Sequence, residues 1–282
     1  MRTDPPHLSL QAAGLAIGLL HPYAGILEAR ILRTARGTIS GYFSNPFLLA
    51  RAVAPWNGQH SIYLTLNRLN PEVRARAHNH LASFVSVTTG AEDVIRRQWF
   101  AVDVDSIRPR GIAANEQELA AALALWDAMI EYARKEGRFP LPLRIMSGNG
   151  GWALWRVDLP NTNEISQVYK QALQALDQRF SDATAKIDPS VHAAAQLVKL
   201  PTTIAVKGDA LPDRPHRRVE IQPPIPLHLT GDVQLVTLDQ LQWLAGQFQV
   251  PVNRSYSLPS ASAVPNLIDL FKAKDLYRRP LS

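Results

Sequence analysis

Hydrophobic residues recur along the chain with two different spacings, and the two alternate. A spacing of three to four residues predicts helices over 9–20, 46–54, 72–84, 116–136, 165–180 and 238–248. Short alternating or continuous apolar runs predict strands over 28–33, 38–43, 61–66, 99–105, 143–146, 152–157 and 202–207, while 193–200 fits either a short helix or a strand. Hairpins interrupt the alternation of strands and helices, so the pattern predicts a mixed α/β (α+β) sheet protein.

Polar residues at the predicted helix ends support these boundaries. Asn115 and Glu118 have the spacing of a capping box, and Ser44 is expected to cap the helix that Asn45 opens. A proline- and serine-rich stretch follows the last helix. We therefore expect one main domain over 1–250, followed by a linker and short basic tail over 251–282.

The amino-acid composition limits the kinds of catalytic and metal-binding site that the chain can form. Hydrophobic residues make up 46% of the 282 residues, enough for a sizeable core, and there is no cysteine. Disulfides, thiolate zinc sites and a cysteine nucleophile are therefore excluded, so a metal would be held by carboxylates, histidines or water. The net charge of +6 favours a polyanionic partner, although a solvated basic face is the alternative. No apolar run reaches the roughly 20 residues of a membrane span, and no signal segment is recognisable, so we expect a cytoplasmic protein without membrane contact.

Asp103 and Asp105 form the first informative motif. They lie two positions apart on a predicted strand, so both carboxylates are expected on one face of the sheet. Neighbouring carboxylates repel each other unless a cation lies between them, which favours a site for a divalent metal. The alternative is a strand that ends in a solvated aspartate turn.

Two further segments carry candidate chemistry. The loop 147–151, "SGNGG", is rich in glycine, and its backbone N–H groups could form a nest for a triphosphate; a plain hairpin turn is the alternative. Residues 186–218 contain a dense series of cationic side chains that could neutralise phosphates, or could form a solvated face.

The order of these motifs resembles the archaeo-eukaryotic primase superfamily. The segments that carry the resemblance are "VDVDSIRP", "SGNGGWALWRVDLPN" and "IDPSV…LVKLPTTIAVKGDALPDRPHRRVEI", and the similarity extends over about residues 15–250. It is strongest to the primase-polymerases of phages, plasmids and other mobile elements. The resemblance implies an RRM-like catalytic sheet packed against an N-terminal α/β unit.

The resemblance also implies roles for individual residues. The catalytic and metal-binding acids would be Asp103, Asp105 and Asp188. The residues that contact the nucleotide would be Ser147, Gly148, Asn149, Gly150, Trp152, Lys199, Lys207, His216 and Arg217. Candidates for contacts with the template are Arg30, Tyr42 and Asn67.

The chain departs from the family pattern in three places. Trp152 stands where a phosphate-binding histidine is expected, and tryptophan offers a single N–H donor and a large aromatic face. It would either stack on a base or sugar, or form a passive wall. Residues 192–196, "HAAAQ", replace an Asn-Pro-Ala-Arg motif, and residues 200–203, "LPTT", replace "LPGT".

The implied activity is DNA-dependent primase-polymerase chemistry. Two Mg²⁺ or Mn²⁺ ions would assist the transfer of a nucleotide from an NTP or dNTP to a 3′-OH on a single-stranded DNA template. The sequence contains no helicase phosphate-loop motif, so we expect a separate helicase or replication partner. A weakened primase-like module that only binds nucleic acid is the alternative, and a metal-dependent nuclease is a third reading.

Overall fold

Five α-helices and twelve strands make up the computed structural model, which describes residues 7–22, 25–225 and 234–249. The helices are α1 (Leu10–Leu20), α2 (Pro46–Val53), α3 (Glu116–Lys135), α4 (Asn163–Phe180) and α5 (Leu238–Gly246). The first six strands are β1 (Leu27–Thr34), β2 (Gly37–Phe43), β3 (Ile62–Thr65), β4 (Arg68–Leu69), β5 (Val94–Ser106) and β6 (Leu143–Met146). The others are β7 (Gly150–Pro160), β8 (Ala185–Ile187), β9 (Leu197–Lys199), β10 (Ile204–Ala205), β11 (Arg217–Arg218) and β12 (Glu220–Gln222).

The strands form two main sheets and one small hairpin. The first sheet has the order β2-β1-β3-β9 and belongs mostly to the N-terminal part of the chain. The second sheet has the order β12-β6-β7-β5-β4, with β8 pairing with the end of β5. Every strand pairing is antiparallel, and β10 with β11 forms the separate hairpin. The predicted mixed α/β (α+β) class is confirmed by this architecture.

The second sheet is covered by helices on one face and by the N-terminal region on the other. On the helical face, Phe100 of β5 meets the ring of Tyr169 of α4 edge to face, with ring centroids 5.1 Å apart. On the opposite face, the Trp99 indole donates a hydrogen bond to the backbone oxygen of Leu20 at the end of α1. From Trp99 onwards, after a register shift in the strand, β5 thus directs even-numbered residues towards the helices and odd-numbered residues towards the N-terminal region.

The capping predictions are confirmed for α3 and corrected for α2. Asn115 Oδ1 accepts from the Glu118 backbone N–H at 2.8 Å, and the Glu118 carboxylate accepts from the Asn115 N–H at 2.9 Å. At α2, the expected cap Ser44 is wrong, because Asn45 Oδ1 accepts from the N–H groups of residues 47 and 48. Asparagine reaches these donors because it precedes the proline that opens the helix.

The helix predicted over 72–84 is wrong. Only Pro71–Arg76 is helical, as a short 3₁₀ turn, and the chain then follows the outer edge of the first sheet. Asn79 donates its N–H to the Tyr42 oxygen, and Ala82 exchanges backbone hydrogen bonds with Ser40. The segment covers the free edge of β2, and this pairing replaces the helical hydrogen bonds that its apolar spacing suggested.

Strand boundaries also differ from the prediction in informative places. Strand β5 begins at Val94, five residues before the predicted start, and the ambiguous segment 193–200 contains strand β9. The predicted strand 202–207 is reduced to Ile204–Ala205. The described residues up to Phe248 form one compact unit, while the predicted linker and tail over 251–282 lie outside the described residues. In the described ranges, no helix is both long enough and apolar enough to cross a membrane.

Candidate active site

Three aspartates line one cavity of about 300 Å³ between the two sheets. We call it the acid cavity; its walls are formed by Leu32, Tyr63, Asp103, Asp105, Arg108, Ser147, Trp152, Asp188, Ser190, Val191, Gln196, Leu197, Lys199 and Lys207. The first sheet contributes one side of the cavity and the second sheet contributes the acids. The predicted convergence of Asp103, Asp105 and Asp188 is therefore seen in the structure.

The strand register brings the three acids together. Asp103 and Asp105 alternate along β5 and lie on the face that is turned away from the helices. Strand β8 pairs with the end of β5, with Ile187 opposite Val104, so Asp188 follows directly beside Asp103. The Asp188 N–H donates to the Asp103 backbone oxygen at 3.0 Å. A short β8 thus places an acid from late in the chain next to the earlier pair.

The charges in the cavity strongly perturb one another. Burial, the neighbouring Asp105 carboxylate and, less strongly, Asp188 raise the pKa of Asp103 well above its usual range, against the attraction of two lysines. Burial lowers the pKa of Lys199, while the attraction of Asp103 and Asp105 opposes that shift. A cation placed between the acids would relieve their repulsion.

Arg108 holds Asp105 in a two-point ion pair. Its Nη1 and Nη2 atoms lie 3.0 and 3.2 Å from the two carboxylate oxygens. The same guanidinium donates to Ser106 Oγ at 2.7 Å and to the Ile112 backbone oxygen at 3.2 Å, and the side chain is only 3% exposed. Arg108 therefore serves as an internal counterion for one of the three acids.

The donor types fit a divalent metal ion, and Arg108 restricts the arrangement. Three carboxylates are the hard oxygen ligands that Mg²⁺ and Mn²⁺ prefer. As they stand, however, no three histidine, aspartate or glutamate side chains in the described ranges are arranged to hold a metal ion. Both carboxylate oxygens of Asp105 are occupied by Arg108.

The loop 147–151 is built mainly by packing requirements. Gly148 has a φ of +91°, and a Cβ at Gly150 would lie 2.0 Å from the Val104 oxygen, so both positions require glycine. Asn149 is buried, and its Oδ1 accepts from the Ala114 N–H at 2.7 Å. The Ser147 N–H donates to the Gly150 oxygen, and the Gly148 N–H contacts the Met146 sulfur.

These contacts determine how the predicted phosphate-binding loop lies relative to the acid cavity. Gly148, Asn149 and Gly150 do not line the acid cavity, since the first and third form the turn and Asn149 supports the start of α3. Ser147 alone of the predicted cradle reaches the cavity, and its backbone oxygen accepts from Lys199 Nζ at 3.0 Å. The plain hairpin turn, which the sequence left open as the alternative, explains the glycines.

Trp152 forms a wall of the acid cavity. It pairs with Asp103 across β7 and β5, so both side chains lie on the same face of the sheet. The indole is only 6% exposed and packs in the hydrophobic core. Trp152 therefore removes water from one side of Asp103, which contributes to the burial that raises the pKa of that acid.

The predicted cations divide into two groups. Lys199 and Lys207 line the acid cavity. Arg217 instead donates to the Ala114 oxygen and pairs with Glu116 at 2.6 Å, and His216 Nε2 accepts from the Lys207 N–H. These two side chains join the segment around β11 to neighbouring backbone and to the start of α3, and their contacts with a nucleotide stay a prediction.

The three template candidates also have structural partners. Arg30 makes two hydrogen bonds to the buried Glu28 carboxylate, at 2.8 and 2.6 Å. Tyr42 is buried, and its hydroxyl accepts from Arg76 at 3.3 Å. Asn67 is buried as well and bridges residues of β5 to the Ala194 oxygen. None of the three lines the acid cavity, and each has a role in the fold, while their contacts with a template stay a prediction.

Sequence reasoning missed four polar residues of the cavity, namely Tyr63, Arg108, Ser190 and Gln196. Arg108 lies three positions after Asp105 in "DVDSIRP", just beyond the end of the predicted strand. This spacing could have indicated that the arginine lies close to the acids. Tyr63 lies opposite Lys199 in the pairing of β3 with β9, a register that the sequence alone does not reveal.

Solved structures similar to this chain include two of primase RepB′ and one of a phage enzyme. A crystal structure of primase RepB′ has 12% identity and a TM-score of 0.45, covering 95% of this chain and 67% of that chain. The archaeo-eukaryotic primase domain of the cyanophage S-2L primase-polymerase has 11% identity and a TM-score of 0.46, covering 85% and 100%. The catalytic domain of RepB′ in complex with initiator DNA has 13% identity and a TM-score of 0.43, covering 84% and 94%. No protein-family model and no curated protein matches the chain.

Proposed function

We propose that this chain is a nucleotidyltransferase of the archaeo-eukaryotic primase superfamily. It would act as a DNA-dependent primase-polymerase that joins an NTP or dNTP to a 3′-OH on single-stranded DNA, with strand separation supplied by a separate helicase. The observation that carries the proposal is the convergence of Asp103, Asp105 and Asp188 with two lysines in one cavity. These residues come from motifs that match the superfamily in order.

The residues of the acid cavity would have different roles in the reaction. Asp103 and Asp188, together with Asp105 after its release from Arg108, would hold Mg²⁺ or Mn²⁺. When bound, such ions would activate the 3′ oxygen and neutralise the leaving pyrophosphate. Lys199 and Lys207 place positive charge where a triphosphate would enter, and so stabilise charge that develops during transfer.

Ser147 and Trp152 would shape the nucleotide site. The Ser147 hydroxyl belongs to a side chain that lines the cavity and can donate to a phosphate oxygen. Trp152 excludes water from Asp103 and offers a flat apolar surface beside the reacting position. A dry wall strengthens the electrostatic interactions of the acids and lysines.

Two observations favour a second candidate function, a primase-like module that binds nucleic acid without efficient catalysis. Arg108 occupies both oxygens of Asp105, and Trp152 replaces the histidine expected at its position. The lost phosphate contact would cost a few kcal/mol of transition-state stabilisation, which lowers the rate without abolishing the reaction.

Primer extension separates the two functions. Purified protein is incubated with a primed single-stranded template, labelled nucleotides and either Mn²⁺ or Mg²⁺, beside Asp103→Ala and the exposed control Asp209→Asn. Extension by the wild type and by Asp209→Asn, but not by Asp103→Ala, supports the polymerase. Retained template binding without extension under either metal ion overturns it in favour of the binding module.

A further inference from the structure

A second cleft, of about 550 Å³, lies on the first sheet away from the acids. We call it the Trp56 cleft; its walls include Arg36, Leu48, Arg51, Trp56, His80 and Ile39. Ile39 pairs with Ile31 on β1, whereas the next residue of β1, Leu32, lines the acid cavity. Because neighbouring strand residues point to opposite faces, the cleft and the acid cavity lie on opposite sides of this sheet.

The charge of this region is positive on balance. Residues 28–93 contain seven arginines and four acids, and two of the arginines, Arg30 and Arg76, pair with Glu28 and Asp93. Arg36 and Arg51 are exposed, and neither forms an ion pair with a carboxylate in the described part of the chain. Among the described residues, no acid lines the Trp56 cleft. Two exposed arginines at one groove produce a positive potential that attracts a polyanion.

Aromatic surface accompanies this charge. Trp56 is half-buried, and its ring lies 5.8 Å from the ring of His60. Unpaired bases stack on such rings with about 1–3 kcal/mol each, and arginines neutralise the phosphates beside them. A groove that combines cations with an accessible aromatic ring suits a single strand, whose bases are free to stack, better than a duplex.

A continuous series of residues connects the acid cavity to the Trp56 cleft. An intermediate cavity of about 380 Å³ shares Leu32, Tyr63, Lys199 and Lys207 with the acid cavity. Its other walls include Arg33 and His60. Arg33 lies on the same β1–β2 hairpin as Arg36, and the His60 ring lies beside the Trp56 ring, so residues next to one another in the chain or in space line the two cavities. A strand that leaves the acid cavity would pass Arg33 and His60 before it reaches the Trp56 cleft.

We propose that the Trp56 cleft binds single-stranded nucleic acid and holds the part of the strand that extends beyond the acid cavity. Arg36 and Arg51 would contact phosphates, and Trp56 would stack on a base. The proposal rests on the proposed function, because it takes the strand in the cleft to be the one that serves the acid cavity. It adds a binding surface that lies outside the reacting centre.

The test measures the affinity of fluorescent oligothymidylates of about 4 and about 16 nucleotides by anisotropy, across a range of salt concentrations. Arg36→Ala/Arg51→Ala removes two exposed charges, and Lys135→Ala/Lys170→Ala removes two exposed charges from α3 and α4 as a matched control. We expect the cleft variant to lose tenfold or more in affinity for the long oligonucleotide and little for the short one. Its salt slope should fall by about 1.4, because two phosphate contacts on a single strand are lost.

Two further variants separate stacking from charge and from folding. Trp56→Phe should retain most of the affinity and Trp56→Ala should lose it, with melting temperatures measured for both. A photoreactive nucleotide near the end of the long strand should cross-link to residues 51–56 in the wild type. Equal affinities of the cleft variant and the matched control for the long oligonucleotide would overturn the proposal. Cross-links only to residues outside 51–56 would overturn it as well. Either result is also expected if the cleft binds an acidic protein segment instead of nucleic acid.

These outcomes remain distinguishable from a failure of the proposed function. If the wild type extends primers and Arg36→Ala/Arg51→Ala keeps its affinity for the long oligonucleotide, the proposal for the cleft is rejected and the proposal of a polymerase is retained. Cleft-dependent binding by a protein that does not extend primers would reject the polymerase and leave the cleft standing. Binding is measured without nucleotides, so the two readouts do not depend on each other.

Discussion

Trp152 lies directly across from Asp103 on neighbouring strands, with both side chains in the acid cavity. We expect Trp152→His to lower the KM for the nucleotide about tenfold, because a protonated imidazole adds a charge-assisted hydrogen bond to phosphate worth about 1.5 kcal/mol. The smaller ring should also cost about 2 kcal/mol of unfolding free energy, since it fills the core less well. Steady-state kinetics and denaturant titration measure both effects.

Trp152→Phe serves as the matched control, because it keeps an aromatic wall and adds no phosphate donor. We expect its KM to stay close to that of the wild type. A loss of kcat/KM in folded Trp152→His would contradict the prediction and would identify tryptophan as a specialised contact with the substrate.

The surroundings of Asp103 disfavour the charged form of its carboxyl group, which lowers the stability of the folded protein. Its carboxylate is buried beside Asp105 and Asp188, and this surrounding raises its pKa. Asp103→Asn should therefore raise the free energy of unfolding by about 1–3 kcal/mol in the presence of a chelator, while it abolishes primer extension. Denaturant titration measures the gain, and Asp209→Asn, which changes an exposed acid, should stay within about 0.5 kcal/mol of the wild type.

The same denaturant titrations in excess Mn²⁺ test whether Asp103 takes part in metal binding. Ligand binding to the folded state stabilises the wild type, so the advantage of Asp103→Asn should shrink or reverse as Mn²⁺ is added. An advantage that is unchanged by Mn²⁺ would show that Asp103 does not take part in metal binding.

The Arg108 guanidinium covers both carboxylate oxygens of Asp105, so we predict that Arg108 competes with metal for this acid. We expect Arg108→Ala to bind Mn²⁺ about tenfold more tightly, as measured by calorimetry or electron paramagnetic resonance on the protein alone. The variant should also be less stable, because the loop after β5 loses its hydrogen bonds to Arg108. Arg110→Ala removes an exposed charge nearby and should leave the affinity for Mn²⁺ nearly unchanged. Weaker binding by Arg108→Ala would mean that the arginine organises the metal site instead of competing for it.

The sequence predicted the strongly periodic elements well, because their spacing reflects burial directly. Helices α3 and α4 and the β6–β7 hairpin lie where the pattern indicated. The segment 72–84 shows the limit of this reasoning: its spacing fits a helix, but the free edge of β2 offers backbone partners that no local pattern reveals.

The candidate site, like the fold, could be predicted only in part. The three acids could be found because they lie in ordered motifs, and the alternation of β5 fixed the face shared by two of them. The partners of cationic residues could not be found in this way. Arg217 pairs with Glu116, which is far from it in sequence, and only the fold shows that this charge is already neutralised.

His21 makes the stability of the fold depend on pH. Burial lowers its pKa from 6.5 to about 4, the nearby Arg156 acts in the same direction, and a hydrogen bond with the Thr65 backbone opposes both. The unfolded chain therefore binds more protons than the folded protein between these two values, so stability must fall as the pH falls through this window. For this group alone, the loss from pH 7 to pH 5 is about 2 kcal/mol.

The comparison of wild type with His21→Gln isolates this contribution, because every other titrating group is common to both proteins. We expect the difference between their free energies of unfolding to change by about 2 kcal/mol from pH 7 to pH 5, with the wild type losing more. His78→Gln alters an exposed histidine and serves as the control substitution. Parallel pH profiles for wild type and His21→Gln would show that water or a proton reaches the buried imidazole, and hence that the end of α1 opens in the native state.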